Sequence, residues 1–210
     1  MLRVGLTGGL ASGKSFVGKT LQDLGCHLIL ADDLGRKLLE PGQEVARAVV
    51  QEFGAEILRT DGAAPTIDRR RLAAIVFHDP KRLAQLNALV HPAVHAETRR
   101  LLEDYAQSHP RGIAVYEAAI LVETGSYRDF AKVVLAVCRP EQQVERAMAR
   151  DGSTRQEVLD RISRQMPLEE KMKYADYIVD TSGRKEATVE QVRKLYDALC
   201  RDNAGPINTL

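Results

Sequence analysis

The chain has 210 residues, 30 basic and 29 acidic, a formal net charge of +1, and 44% hydrophobic residues. That length suits one domain with inserted subdomains, and the balanced charge gives no field for nucleic acid or an anionic membrane. No apolar run approaches the roughly 18 residues of a membrane span. The three scattered cysteines lack metal-ligand spacing, which suits reduced thiols in a cytoplasmic protein without a signal peptide.

The first strand candidate, Leu2–Leu6, leads into Gly8-Gly9-Leu10-Ala11-Ser12-Gly13-Lys14-Ser15, a G-x-x-x-x-G-K-S sequence. Lys14 to about Leu24 suits a helix, so strand, Gly-rich turn and helix come in the order a phosphate-binding loop needs. Glycines let backbone N–H groups close on phosphate oxygens, and the helix N-terminus adds partial positive charge there. In such a loop Lys14 reaches the β/γ-phosphates of a nucleoside triphosphate and the Ser15 hydroxyl ligates Mg²⁺.

The second strand candidate is His27–Ala31, with Asp32 and Asp33 directly after it. Ligands of open α/β sheets collect beyond the carboxyl ends of strands, where a carboxylate accepts or orients a hydroxyl proton. The same residues also suit a helix cap. Next come about eighty residues with almost no strand signal. Asp68–Phe77 and Lys81–Gln107 have helical spacing, with Asp68 and Asp79 as N-caps and Pro80 in a first turn. His91-Pro92 is expected to kink or break the second of these helices. The Arg69-Arg70-Arg71 triplet decorates a helix start, and His78, His91, His95 and His109 form no metal box.

Gly112–Tyr116 is the third strand candidate, and Glu117 after it is placed to hold Mg²⁺ or its waters; Glu123 is less specific. Lys132–Val137 and Tyr177–Asp180 complete a five-stranded, mainly parallel sheet. Between them Pro140–Arg150 and Thr154–Gln165 read as two helices joined by Asp151-Gly152-Ser153, with Thr154 and Glu157 as a capping box. This excursion carries Arg139, Arg146, Arg150, Arg155, Arg161 and Arg164, candidates to close over a triphosphate. Interleaved Glu141, Glu145, Glu157 and Asp160 mark most of its surface as solvated. A final helix runs from about Lys185 to Arg201, before a frayed tail, Asn203–Leu210.

Taken together these residues resemble the dephospho-coenzyme A kinase family, over about residues 2–200. Leu6-Thr7-Gly8-Gly9-Leu10-Ala11-Ser12-Gly13-Lys14-Ser15 resembles L-T-G-G-I-x-S-G-K-S. Leu30-Ala31-Asp32-Asp33-Leu34-Gly35-Arg36 resembles D-A-D-x-x-x-R, and Leu86-Asn87-Ala88-Leu89-Val90-His91-Pro92 resembles L-N-x-I-x-H-P. Glu117-Ala118-Ala119-Ile120-Leu121-Val122-Glu123 resembles D-x-P-L-L-F-E, and Tyr174–Asp180 resembles A-D-x-V-I-x-N. Leu30 and Glu117 stand where the family pattern has aspartates, Ala119 where it has proline, and Phe16 where a small hydroxyl residue is common.

The resemblance implies an α/β, three-layer P-loop kinase fold with a helical substrate insert and a helical lid. Its expected layout is one domain over 2–202: core 2–35, 111–138 and 174–202, insert 36–110, lid 139–173, and a flexible tail 203–210. It implies phosphorylation of the ribose 3′-hydroxyl of dephospho-coenzyme A by ATP with Mg²⁺. Asp32 and Lys14 are the expected catalytic residues. Gly9, Leu10, Ala11, Ser12, Gly13, Lys14, Ser15 and Phe16, with Arg139 and Arg146, would bind ATP, and Ser15 with Glu117, through water, would hold the metal. Thr7, Asp32, Arg36, Asn87 and His91 would meet the acceptor. The expected partner is that small molecule alone, with no nucleic acid or membrane, in a monomer or weak homo-oligomer. Two other readings stand beside it: another small-molecule or nucleoside-monophosphate kinase on this fold, and a nucleotide-dependent switch. The guanine-reading N-K-x-D of many switches is absent.

Overall fold

In the computed structural model, residues 1–60, 65–77 and 79–204 are described. The chain divides into two compact units: Met1–Leu30 with Asp104 onward, and Ala31–Glu103.

The first unit opens with β1 (Leu2–Gly8), α1 (Lys14–Asp23) and β2 (His27–Leu30). The second holds α2 (Ala31–Leu38), α3 (Glu44–Phe53), a short hairpin of β3 (Leu58–Arg59) and β4 (Thr66–Ile67), α4 (Arg69–Phe77) and most of α5 (Pro80–Ser108). The chain returns to the first unit with β5 (Ile113–Glu117) and β6 (Lys132–Val137). It continues through α6 (Pro140–Asp151), α7 (Arg155–Ser163), α8 (Leu168–Met172), β7 (Tyr177–Asp180) and α9 (Lys185–Ala204).

The five-stranded sheet is wholly parallel, in the order β2-β5-β1-β6-β7. Its central strands are apolar because parallel strands are covered on both faces. Val4 and Leu6 of β1 are fully buried against Val17 and Leu21 of α1 and Val192, Leu195 and Leu199 of α9. Tyr116 of β5 stacks on Phe130 at 5.4 Å, in the segment between β5 and β6. Each such fully buried aliphatic side chain contributes about 1.5–3 kcal/mol. This is the α/β architecture expected, with strands where alternation and apolar runs place them.

The strand ends differ by a residue or two. β1 continues to Gly8, while Ala31 belongs to α2. Glu117 is therefore the last residue of β5, in register with Leu6 and Leu30, not a loop residue after it. Asp32 and Asp33 fall in the first turn of α2.

In the second unit, Val49, Phe53, Ile57, Leu72 and Val76 form a core that Leu83, Leu86, Leu89 and Val90 of α5 cover. Asp68 Oδ1 accepts Arg70 N–H at 2.9 Å and Asp79 Oδ1 accepts Lys81 N–H at 2.8 Å, so both act as helix caps. Of the kink or break expected at His91-Pro92, the break does not occur: α5 runs 29 residues through Pro92. The ring removes one main-chain hydrogen bond, yet apolar residues on both sides, Leu89 and Val90 before it and Leu102 after, are held by packing. Asn203 is not frayed either. It lies in the last turn of α9 and its amide donates to the carbonyl oxygens of Arg111 at 2.7 Å and Gly112 at 3.2 Å. The rest of the predicted tail beyond Ala204, and His78, lie outside the described residues.

Candidate active site

The site grows from the end of β1. Ala11 takes a positive φ of 54° and Gly13 one of 86°, so the loop curls back on itself, with Ser12 N–H donating to Gly9 O at 3.2 Å. Only glycine takes the left-handed conformation freely. Gly13 is also pressed from outside, because a Cβ there would lie 2.8 Å from Thr181 Oγ1. Thr181 donates that hydroxyl to Ser12 O at 2.8 Å, tying the loop to the end of β7. α1 begins at Lys14 with Gly13 as its N-cap, and the start of such a helix carries partial positive charge suited to phosphate.

Ser15 Oγ donates to Glu117 Oε1 at 2.7 Å. The pair joins the first turn of α1 to the end of β5, the strand that lies beside β1 in the sheet. Glu117 is buried, and the carboxylate lies along α1 because Gly18 has no side chain: a Cβ there would stand 2.7 Å from Oε2. A hydroxyl beside a carboxylate is the hard oxygen donor set that Mg²⁺ takes, so the residues present fit a triphosphate with its metal.

The remaining expected residues have their own surroundings. Thr7 is wholly buried and its hydroxyl donates to Ala119 O at 3.3 Å, which supports the segment after β5. Phe16 comes next to Ser15 on α1, with Lys185 Nζ 5.9 Å above its ring. Arg146 reaches the end of β7, donating to Thr181 Oγ1 at 3.0 Å and Thr181 O at 2.8 Å. Arg139 N–H donates to Ser182 Oγ at 3.1 Å. Arg150 and Arg161 both hold Asp151, at 2.7 and 2.6 Å, and keep its carboxyl below the usual carboxylate range. In the second unit Asp32 and Arg36 lie one helical turn apart and exposed, and Arg36 pairs with Asp33 at 3.3 Å. Asn87 and His91 are likewise one turn apart on α5, half-buried. Burial, and His95 nearby, lower the His91 pKa and keep its imidazole neutral.

Contacts that charge patterning did not single out are made by glutamines. Leu10 N–H donates to Gln165 Oε1 at 2.8 Å, and Gln143 lies against Gly9. A neutral amide in a mixed-charge helix has no sequence signal that separates it from solvated neighbours.

A sequence profile of dephospho-CoA kinases matches residues 2–186. The chain belongs to the dephospho-CoA kinase family. A dephospho-CoA kinase of Carboxydothermus hydrogenoformans is 41% identical over 189 residues, covering 90% of both chains. One from Aquifex aeolicus is 38% identical over 202 residues, 96% of this chain and 100% of its own. Among solved structures, a Thermus thermophilus protein superposes with a TM-score of 0.76 at 33% identity, over 94% of this chain and 97% of its own. Membership of the dephospho-CoA kinase family makes this chain a phosphotransferase. No helix among the described residues is long and apolar enough to cross a membrane.

Proposed function

We propose that the protein transfers the γ-phosphoryl group of ATP to the ribose 3′-hydroxyl of dephospho-coenzyme A, giving coenzyme A and ADP. The observation that carries this reading is the Ser15–Glu117 pair at 2.7 Å, at the foot of a loop bent through two left-handed residues. Family membership supplies the acceptor.

The loop from Gly9 to Gly13, with Lys14, wraps the triphosphate, and Phe16 continues that surface on α1. Bound Mg²⁺, held by Ser15 and, through water, by Glu117, would neutralise charge on the β- and γ-phosphates. The acceptor oxygen attacks the γ-phosphorus as the bond from phosphorus to the β–γ bridging oxygen breaks. ADP leaves with that electron pair, and Asp32 takes the hydroxyl proton. Arg36, Asn87 and His91 face the acceptor, His91 as a neutral hydrogen-bonding group. Arg139 and Arg146 belong to the nucleotide side, and the bonds from Arg146 to Thr181 place it beside the loop's own tether. Thr7 serves the acceptor side by supporting the segment after β5. The layout is a catalytic core with an acceptor-binding insert and a lid, in a cytoplasmic monomer or weak homo-oligomer that engages neither nucleic acid nor membrane.

An ADP-release assay with dephospho-coenzyme A as the varied substrate tests the proposal. Saturable, acceptor-dependent release is expected. Release independent of acceptor, or faster with nucleoside monophosphates, gluconate or shikimate, overturns it.

A further inference from the structure

The lid meets the phosphate loop through two uncharged side chains. Gln165, just beyond α7, accepts Leu10 N–H on its Oε1 at 2.8 Å. Gln143 of α6 brings its Nε2 against Gly9, where a side chain would leave it no room. Around them Leu10 and Ala11 pack on a small core of Val144, Ala147 and Val158.

The neighbouring stretch from Met166 to Lys171 holds Gln165 in place. Glu123 Oε1 accepts Met166 N–H at 3.2 Å and pairs with Lys171 Nζ at 2.8 Å. Lys171 is 1% exposed and also donates to Ala119 O at 2.9 Å. A buried lysine with an anion and a carbonyl as partners is a fixed point, because freeing either end leaves a charge in a dry site. The stem of the lid is therefore pinned one residue past Gln165.

The backbone N–H of Leu10 can only donate, so the Gln165 amide must turn its oxygen to the loop. Its NH₂ group, with two donors, then faces away from that N–H. A phosphate seated on the loop is an acceptor on every face. The start of α1 and its dipole serve the inner phosphate. Leu10 lies on the limb of the loop that enters from β1, opposite the limb that leads into α1. We propose that Gln165 binds the terminal phosphate of the nucleoside triphosphate through Nε2, while Oε1 keeps the Leu10 amide in place. The enzyme would thereby tell triphosphate from diphosphate with a neutral donor carried by the lid. This inference rests on the reading of Gly8–Ser15 as a triphosphate loop.

The substitution Gln165→Glu separates the two halves of the amide. It keeps an oxygen for Leu10 N–H at the same reach and replaces the NH₂ donor by a second, charged oxygen. Calorimetric titration of the full chain with the β,γ-imido analogue of ATP, and with ADP, both with Mg²⁺, reads the result. Q165E is expected to weaken the analogue by about tenfold or more, the range for a hydrogen bond to a charged group, with ADP little changed. Q165A is expected to weaken the analogue in the same selective way, to a smaller extent, and it carries the test if Q165E melts early. Wild-type affinity for the analogue in both variants, or equal loss for analogue and ADP, overturns the proposal and leaves the loop reading intact. If the wild-type chain binds neither nucleotide, the loop reading falls, and this inference with it.

Discussion

The Glu117 carboxylate lies between the Ser15 hydroxyl and the back of α1, and Gly18 makes the space for it. In an ordinary helix Gly→Ala stabilises by about 0.5–1 kcal/mol. Here the added Cβ meets Glu117 Oε2 at 2.7 Å and Leu28 Cδ1 and Leu6 Cδ2 at 3.3 Å. Gly18→Ala is expected to push the carboxylate aside and raise severalfold the Mg²⁺ concentration needed for half-maximal rate. A magnesium titration at saturating ATP checks it, and an unchanged curve removes Glu117 from the metal side. Asp32→Asn keeps shape and loses the proton acceptor, so kcat should fall at least about a hundredfold, with the KM for ATP little changed. Near-normal turnover in steady-state kinetics would remove Asp32 from the mechanism. Lys14, Ser15 and Asp32 could be named as candidates from the sequence because each sits at a fixed offset in a short motif. Gly18 was not, since its role depends on Glu117, which arrives about a hundred residues later.

The segment from α6 to α8 shows the same division between local and distant causes. Its α6–α7 turn and capping box are readable from residues a few positions apart, and Thr154 Oγ1 accepts Glu157 N–H at 3.3 Å while Glu157 Oε2 accepts Thr154 N–H at 2.8 Å. Thr154→Ala should cost about 1 kcal/mol in urea unfolding. The anchor of that segment was not readable, because Lys171 looks like one more charge in a solvated run. Lys171→Met should destabilise by about 3 kcal/mol, measured the same way, since it strands the Glu123 carboxylate; adding Glu123→Leu should recover much of that loss. No recovery would mean that the ion pair is not what Lys171 supplies. α5 teaches the converse: its spacing was legible on either side of Pro92, and the helix, packed on the core of the second unit as far as Val90, continues through a residue that locally argues for a break.

The molecule as a whole should be most stable from about neutrality to mild alkalinity. Burial lowers the His27 pKa from 6.5, with His109 adding to it, and His91 is lowered in the same way with His95. A base lowered on folding binds its proton more readily when unfolded, so this stability is present above pH 6.5 and lost as pH falls from there through the lower folded value. Burial, and Cys200 beside it, push the Cys26 thiol up from 9.0 to about 12. That contribution is complete below pH 9 and lost as pH rises toward the folded value. Scanning calorimetry across pH should show both limbs; Cys26→Ala should flatten the alkaline one and His27→Phe, which keeps the 4.4 Å stack on Tyr105, should soften the acid one. Sequence by itself determined the five parallel strands, the phosphate loop and the class of chemistry, because alternation, glycine spacing and helix caps act over a few residues. Tertiary structure alone decided which oxygen faces Ser15, where Arg146 is engaged and what touches the loop. Those contacts join residues 102, 35 and 155 positions apart, and only the closing of the sheet and the docking of the segment from α6 to α8 bring them within hydrogen-bond reach.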